Sequence, residues 1–94
     1  MAERIGRITD IKLATFFPGS PTAVDTCMVT LKEANAATTI FLLWVSRPNT
    51  STYNRILETQ RLALVREAAF RRLTVHLFHE SGSSIVDQIK VDIP

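Results

Sequence analysis

Cysteine, glycine and long apolar runs are scarce in this chain of 94 residues. Cys27 is the only cysteine, so no internal disulfide can form, and its place in an apolar strand pattern predicts a buried small side chain. No uncharged apolar run reaches the length of about 18 residues that a membrane span needs. The net charge is only +2, far below the concentrated positive charge typical of nucleic-acid-binding proteins. Residues 1–7 contain no apolar stretch typical of a secretory signal. We therefore expect a cytoplasmic protein without membrane insertion, or a secreted one if a signal sequence was removed.

The length predicts one domain over residues 1–94, because this size allows a single hydrophobic core. Apolar and polar residues alternate with the period of a strand in four segments, and a fifth, residues 39–45, is apolar on both faces, as expected of a strand covered on both sides. The predicted strands are residues 8–17, 23–32, 39–45, 73–78 and 85–93. Between the third and fourth strands, the pattern predicts a helix over residues 51–72, preceded by several residues able to cap it.

The predicted helix carries apolar residues on two sides. One stripe contains Tyr53, Ile56, Leu57, Gln60, Leu64 and Ala68, and the second contains Leu62, Val65 and Ala69. A helix that is apolar on two sides is expected to bury both of them, one against its own sheet and one against a neighbouring subunit. We expect the second stripe, together with Arg55 and Arg66, to form an oligomer interface or to line a pore.

The element order predicts the fold class. Strand-strand-strand-helix-strand-strand (β-β-β-α-β-β) is the order of the five-stranded OB-fold, an all-β barrel with one helix. This fold mostly binds oligosaccharides or oligonucleotides.

The arrangement of these segments also resembles a known family. From about Gly6 to Ile93 the chain is similar to the receptor-binding (B) subunits of bacterial A-B toxins of the cholera and Shiga type. The strand Cys27-Met28-Val29-Thr30-Leu31-Lys32 leads into an apolar strand, a polar-capped helix over residues 51–72 and a two-strand finish. The resemblance implies an OB barrel that assembles as a homopentameric ring, with central helices lining a pore and cell-surface sugars bound at the outer rim. This chain lacks that family's cysteine pair.

No residue set indicates catalysis. His76 and His79 are three apart in a predicted strand, so they point to opposite faces and cannot share a metal ion. The aspartates are scattered, and no spacing pairs two of them for acid-base chemistry. The sequence also contains no glycine-rich phosphate loop. We therefore expect no catalytic residues, no metal, no cofactor and no enzymatic activity.

A ligand site is predicted at the loops and the outer strand face that OB barrels use. The loop between the last two strands is polar and suited to bind hydroxyl groups, and residues 18–22 form a second candidate loop. The candidate ligand-binding residues are His79, Glu80, Ser81, Ser83, Ser84 and Lys32.

Three functions follow from these expectations. The first is a non-enzymatic binding subunit that forms a homo-oligomeric ring, most simply a pentamer, and binds a cell-surface glycan or a protein partner. The alternative is a single-stranded nucleic-acid-binding OB domain, which is weakened because no series of aromatic residues accompanies Lys32 and Met28 on the outer face. A structural ring that docks a second protein chain is the third.

Overall fold

Five antiparallel strands and one helix account for most of the chain. The structure is a computed structural model that describes residues 1–16, 19, 24–46 and 50–93. In chain order the elements are β1 (Ala2–Phe16), β2 (Val24–Glu33), β3 (Thr38–Ser46), α1 (Thr52–Arg71), β4 (Thr74–His79) and β5 (Val86–Val91). The strands form one sheet in the order β3-β2-β1-β4-β5. The expected number of strands and the single long helix are confirmed.

The central strand β1 begins earlier than the alternation pattern predicts. Its first residues pair with β4, and its later residues pair with β2. The alternation pattern did not predict residues 2–7 as strand. Arg4 and Gly6 lie on the same side of β1 as the buried Ile8, where the pattern requires apolar side chains. Arg4 is held by two hydrogen bonds of 2.9 and 2.6 Å to the Glu33 carboxylate, which lowers the pKa of that carboxyl. This partner lies 29 residues away, so no local pattern could indicate it.

A bulge in β1 keeps the core side continuous. The pairing with β2 shifts between Ile8 and Asp10, which leaves Thr9 as the extra residue. Because of this extra residue, Ile8 and Ile11 both lie against the core although they are three positions apart.

The helix begins and ends at residues suited to its caps. Ser51 accepts a hydrogen bond of 3.1 Å from the main-chain N–H of Asn54, as expected of an N-cap serine. At the other end, Arg72 adopts the left-handed conformation with φ of 58°, and its N–H bonds the carbonyls of Ala68 and Ala69. The helix therefore occupies nearly the whole of the predicted segment.

The core lies between the helix and the inner face of the sheet. Its buried apolar residues are Ile8, Cys27, Val29, Leu31, Phe41, Leu43, Val65, Ala68, Val75, Leu77 and Val86. Cys27 is fully buried, as the sequence predicted, and burial raises the pKa of its thiol. A single helix thus supplies the cover for residues from all five strands.

The two edge strands meet at one point. The main-chain N–H of Leu42 in β3 donates a 2.8 Å hydrogen bond to the carbonyl of Ser84, and a parallel bridge joins Leu42 to Ile85. Beyond this bridge, β5 keeps its ladder with β4 alone. A continuous ladder therefore does not close the sheet into the five-stranded barrel that the sequence predicts.

Gly6 lies too close to the neighbouring strand to carry a side chain. A Cβ atom at Gly6 would overlap the main-chain carbonyl oxygen of Lys32 and would lie 2.8 Å from its carbonyl carbon. Because both groups belong to paired strands, the sheet must shift, and Gly6→Ala is expected to lower the free energy of unfolding by about 2 kcal/mol or more. Urea denaturation followed by circular dichroism measures this change.

The control for this prediction is Gly82→Ala. Gly82 has φ of +80° and nothing within 4 Å of the new Cβ, so only backbone strain of about 1 kcal/mol is expected. Equal losses in the two variants would contradict the proposed strand contact at Gly6.

Candidate functional site

The helix packs one side against its own sheet. Val65 is fully buried and Ala68 nearly so, and Leu62 and Ala69 pack against the same core. The stripe of Leu62, Val65 and Ala69, which we expected at an oligomer interface or pore, therefore faces the sheet of its own chain. The sequence showed two apolar stripes but carried no signal to decide which one the sheet would take.

The opposite side of the helix remains uncovered. Its exposed large apolar side chains, with the exposed fraction of each, are Tyr53 (70%), Ile56 (55%), Leu64 (41%) and Phe70 (86%). At 100° per residue these four positions fall within an arc of about 120° on the side away from Val65. We call Tyr53, Ile56, Leu64 and Phe70 the outer helix face.

Two arginines border this face. Arg55 and Arg66 are eleven positions apart, which places them on the same flank of the helix, and both are exposed. Arg55 lines a shallow depression of about 240 Å³ together with Ile56 and Thr59. The arginines expected at the interface thus lie beside the uncovered face, although the apolar residues expected with them do not.

The turn between β4 and β5 is held by several hydrogen bonds. Ser83 N–H donates to the carbonyl of Glu80 at 3.0 Å, and the Ser83 hydroxyl accepts from Ile85 N–H at 3.1 Å. The Ser84 carbonyl is fixed by Leu42 of β3. This arrangement leaves Glu80, Ser81 and Ser84 exposed on a turn whose backbone is held in place. We call residues 80–84 the β4–β5 turn.

His79 and Lys32 do not join that turn in one site. The His79 ring lies 5.3 Å from the Phe41 ring, and its Nδ1 contacts the Glu80 carbonyl at 3.0 Å, so the imidazole packs inward. Lys32 pairs with Arg7, which pairs with Thr74, five residues before His79 on β4. At the usual rise per residue this separates Lys32 from the turn by about 16 Å. The predicted ligand-binding residues therefore do not form one site, since Lys32 lies far from the β4–β5 turn. The second candidate loop, residues 18–22, lies outside the described residues except for Gly19.

A charged cluster that the sequence did not indicate lies on the outer face of the sheet. His76 Nδ1 is 2.8 Å from a Glu3 carboxylate oxygen, and His76 Nε2 is 3.0 Å from an Asp92 carboxylate oxygen. Hydrogen bonds to Asp92 first and Glu3 second raise the pKa of His76, because a carboxylate on each nitrogen favours the doubly protonated ring. The partners lie 73 and 16 residues away, so only the folded sheet brings them together.

His76 and His79 point to different sides of β4, as their spacing predicted. Within residues 1–16, 24–46 and 50–93, no group of three or more His, Cys, Asp or Glu side chains has an arrangement able to hold a metal ion. No helix in the described part of the chain is long and apolar enough to cross a membrane.

The Glu3–His76–Asp92 cluster predicts a pH-dependent stability. The pKa of His76 is raised above its ordinary value of 6.5. Its contribution to the free energy of unfolding is therefore fully present below about pH 6.5 and is lost as the pH rises through the folded-state pKa. We expect the urea midpoint to fall across this range in the unmodified protein and to fall less in His76→Gln and Asp92→Asn.

Asp10→Asn is the matched control, because Asp10 is exposed and belongs to no ion pair in the described residues. It should retain the pH dependence of the unmodified chain. An unchanged pH dependence in His76→Gln would show that the cluster does not contribute it.

The chain was also compared with protein-family models, curated proteins and solved structures, and none of them matches it. No family is therefore assigned, and function must be argued from the outer helix face and the β4–β5 turn.

Proposed function

We propose that this protein is a non-enzymatic binding subunit that self-associates through the outer helix face into a homo-oligomeric ring, with five copies favoured. The ring binds a cell-surface glycan or a protein partner through its β4–β5 turns. The observation that carries this proposal is the row of four large apolar side chains left uncovered on one side of α1. Exposed apolar side chains grouped on one face are typical of interaction surfaces.

The exposed area of the chain supports an interface of ordinary size. The chain exposes 6238 Å², whereas a compact monomer of 10.5 kDa is expected to expose about 5,400 Å². The excess of about 800 Å² matches the area that one partner buries in an interface of standard size. The outer helix face contributes part of this exposed area, and its side chains can be covered without disturbing the core.

The finer fold is part of the same proposal. In an OB barrel the third and fifth strands lie side by side. Here β3 and β5 approach each other in parallel orientation at Leu42 and Ile85, and we take this bridge as the closure point of an OB-type barrel. On that interpretation the helix packs one side against the inner face of the barrel wall and leaves the outer helix face available to a second copy.

Cyclic symmetry would place the β4–β5 turns of all copies on one side of the ring. Every copy in a closed ring presents the same turn at the same height, so several weak sites can act on one surface. The exposed carboxylate of Glu80 and the hydroxyls of Ser81 and Ser84 can accept and donate hydrogen bonds to sugar hydroxyl groups. Because hydrogen bonds already fix this backbone, little ordering is needed when a ligand binds.

Native mass spectrometry tests the assembly. The proposal predicts a particle of five 10.5-kDa chains, about 53 kDa, and predicts that Ile56→Glu combined with Leu64→Glu releases monomers. The physical reason is that two carboxylates would have to be buried without partners at the interface.

Ile40→Glu is the matched control for the assembly. Ile40 is 52% exposed, close to the 55% of Ile56, but it lies on β3 and outside the outer helix face. The control should keep the mass of the unmodified protein. A monomer at high micromolar concentration would contradict self-association, and a two-chain particle would contradict the ring.

A glycan array followed by variants of the β4–β5 turn tests the ligand. Glu80→Gln and Ser81→Ala are expected to weaken glycan binding by about fivefold each, since each removes a charged or hydroxyl hydrogen-bonding group. Both should leave the particle mass unchanged, because both side chains are exposed and outside the outer helix face. Glycan binding that persists unchanged in both variants would remove the turn from the site while leaving the assembly untouched.

A further inference from the structure

Two cations, Arg7 and Lys32, line a depression on the outer face of the sheet and form no ion pair with any of the described residues. Arg7 lies directly opposite Lys32 of β2 on one side and Thr74 of β4 on the other. Arg72 at the end of the helix shares a second depression with Arg7 and Thr74. Like charges directly opposite each other in a sheet destabilise it. The pair of Arg7 and Lys32 therefore has an energetic cost that the fold itself does not explain.

The neighbouring carboxylates are already engaged by other cations. Glu33 is bound by Arg4, and Asp92 is bound by His76. Within the described residues, no carboxylate lies within ion-pair distance of Arg7, Lys32 or Arg72. Asp10, one pair further along the outer face, offsets part of the positive charge but forms no ion pair with it. The patch therefore retains net positive charge in the folded chain.

The depression has a size and lining suited to a small group. Its volume is about 390 Å³, and its lining residues are Ile5, Gly6, Arg7, Thr9, Lys32, Glu33, Ala34 and Thr74. Gly6 contributes only main chain to the wall. The adjoining depression of about 240 Å³ adds Arg72, and it is also lined by Asp92, whose carboxylate is held by His76.

We propose that the patch of Arg7, Lys32, Arg72 and Thr74 binds the tetrahedral oxyanion of a sulfate or phosphate monoester. Arginine presents a planar fork of N–H donors to such oxygens, and lysine adds a mobile point charge. The hydroxyl of Thr74 lies at the same depression and supplies a neutral donor, whereas the Thr9 hydroxyl donates to the Thr30 carbonyl at 3.4 Å. Ile5 is 44% exposed and offers an apolar wall to the carbon skeleton that carries the ester. This site is separate from the outer helix face and the β4–β5 turn, and it does not depend on the assembly proposed above.

A titration of the full chain with two sugar esters tests the site. Glucose 6-sulfate and glucose 6-phosphate are added at low ionic strength while amide chemical shifts are recorded, with glucose and inorganic sulfate as reference ligands. We expect saturable shifts centred on Gly6, Thr9, Ala34 and Thr74 for at least one ester, weaker binding of inorganic sulfate and none of glucose. The preferred ester identifies the source of the oxyanion. Added sodium chloride should weaken binding, because the site is exposed to solvent.

Variants distinguish binding at a specific site from general attraction of the ester to a positively charged surface. Arg7→Gln and Lys32→Gln should each weaken ester binding by about fivefold or more. Lys12→Gln is the matched control: Lys12 is exposed on the same outer face of β1, but it lies opposite Met28 and away from the depression. The spectrum of each variant without ligand reports whether the chain is still folded.

Three results would overturn this inference. One is the absence of saturation with either ester, and another is equal weakening in Lys12→Gln and Lys32→Gln. The third is binding of a single-stranded oligonucleotide, lost in Arg7→Gln, when neither ester binds, because that would identify a nucleic-acid surface instead of a monoester site.

Discussion

One helix covers the inner face of a five-stranded sheet, and this packing determines what the rest of the molecule can do. Val65 and Ala68 complete a core to which all five strands contribute. Because the sheet uses only one side of the helix, the apolar residues on the other side remain at the surface. A monomer gains nothing from Ile56, Leu64 and Phe70 in these positions, whereas an assembly would bury them.

The long strand β1 divides the molecule into regions with different chemistry. Its first residues pair with β4, which places Glu3 beside His76. They also place Arg7 in the basic patch, that is, the proposed oxyanion site of Arg7, Lys32, Arg72 and Thr74. After the bulge at Thr9, Ile11 again faces the core, and the later residues of β1 pair with β2. The apolar surface of the helix, the polar β4–β5 turn and the basic patch are therefore separate surfaces of one small domain. Each can be altered without changing the packing between helix and sheet.

The secondary structure followed closely from local pattern, because period-two and helical periodicity depend on neighbouring residues alone. The strands, the helix and the burial of Cys27 were all predictable for this reason. Residues 2–7 of β1 were not predictable from local pattern. Arg4 is there because it binds Glu33, and Gly6 because the Lys32 carbonyl across the sheet leaves no room for a side chain.

The candidate sites were less predictable because they depend on register. The sequence named Lys32 and the polar loop together, but the pairing of Lys32 with Arg7 places the lysine in a different region of the sheet. It also named the helix as an interface, but the helix rotation turns the expected interface stripe to the sheet. Tyr53, Ile56 and Leu64 of the other stripe remain at the surface, whereas its Ala68 is buried, and the exposed Phe70 belonged to neither stripe. Rotation and register are set by tertiary packing, and no single segment encodes them.

The central claim is that a second copy of the chain covers the outer helix face. The most direct measurement mixes carbon-13 methyl-labelled and unlabelled chains and records contacts that cross between copies. Self-association through the outer helix face predicts intermolecular contacts from the methyl groups of Ile56 and Leu64, and none from those of Ile40 on β3. Contacts absent from Ile56 and Leu64 in a sample that is nevertheless oligomeric would contradict it.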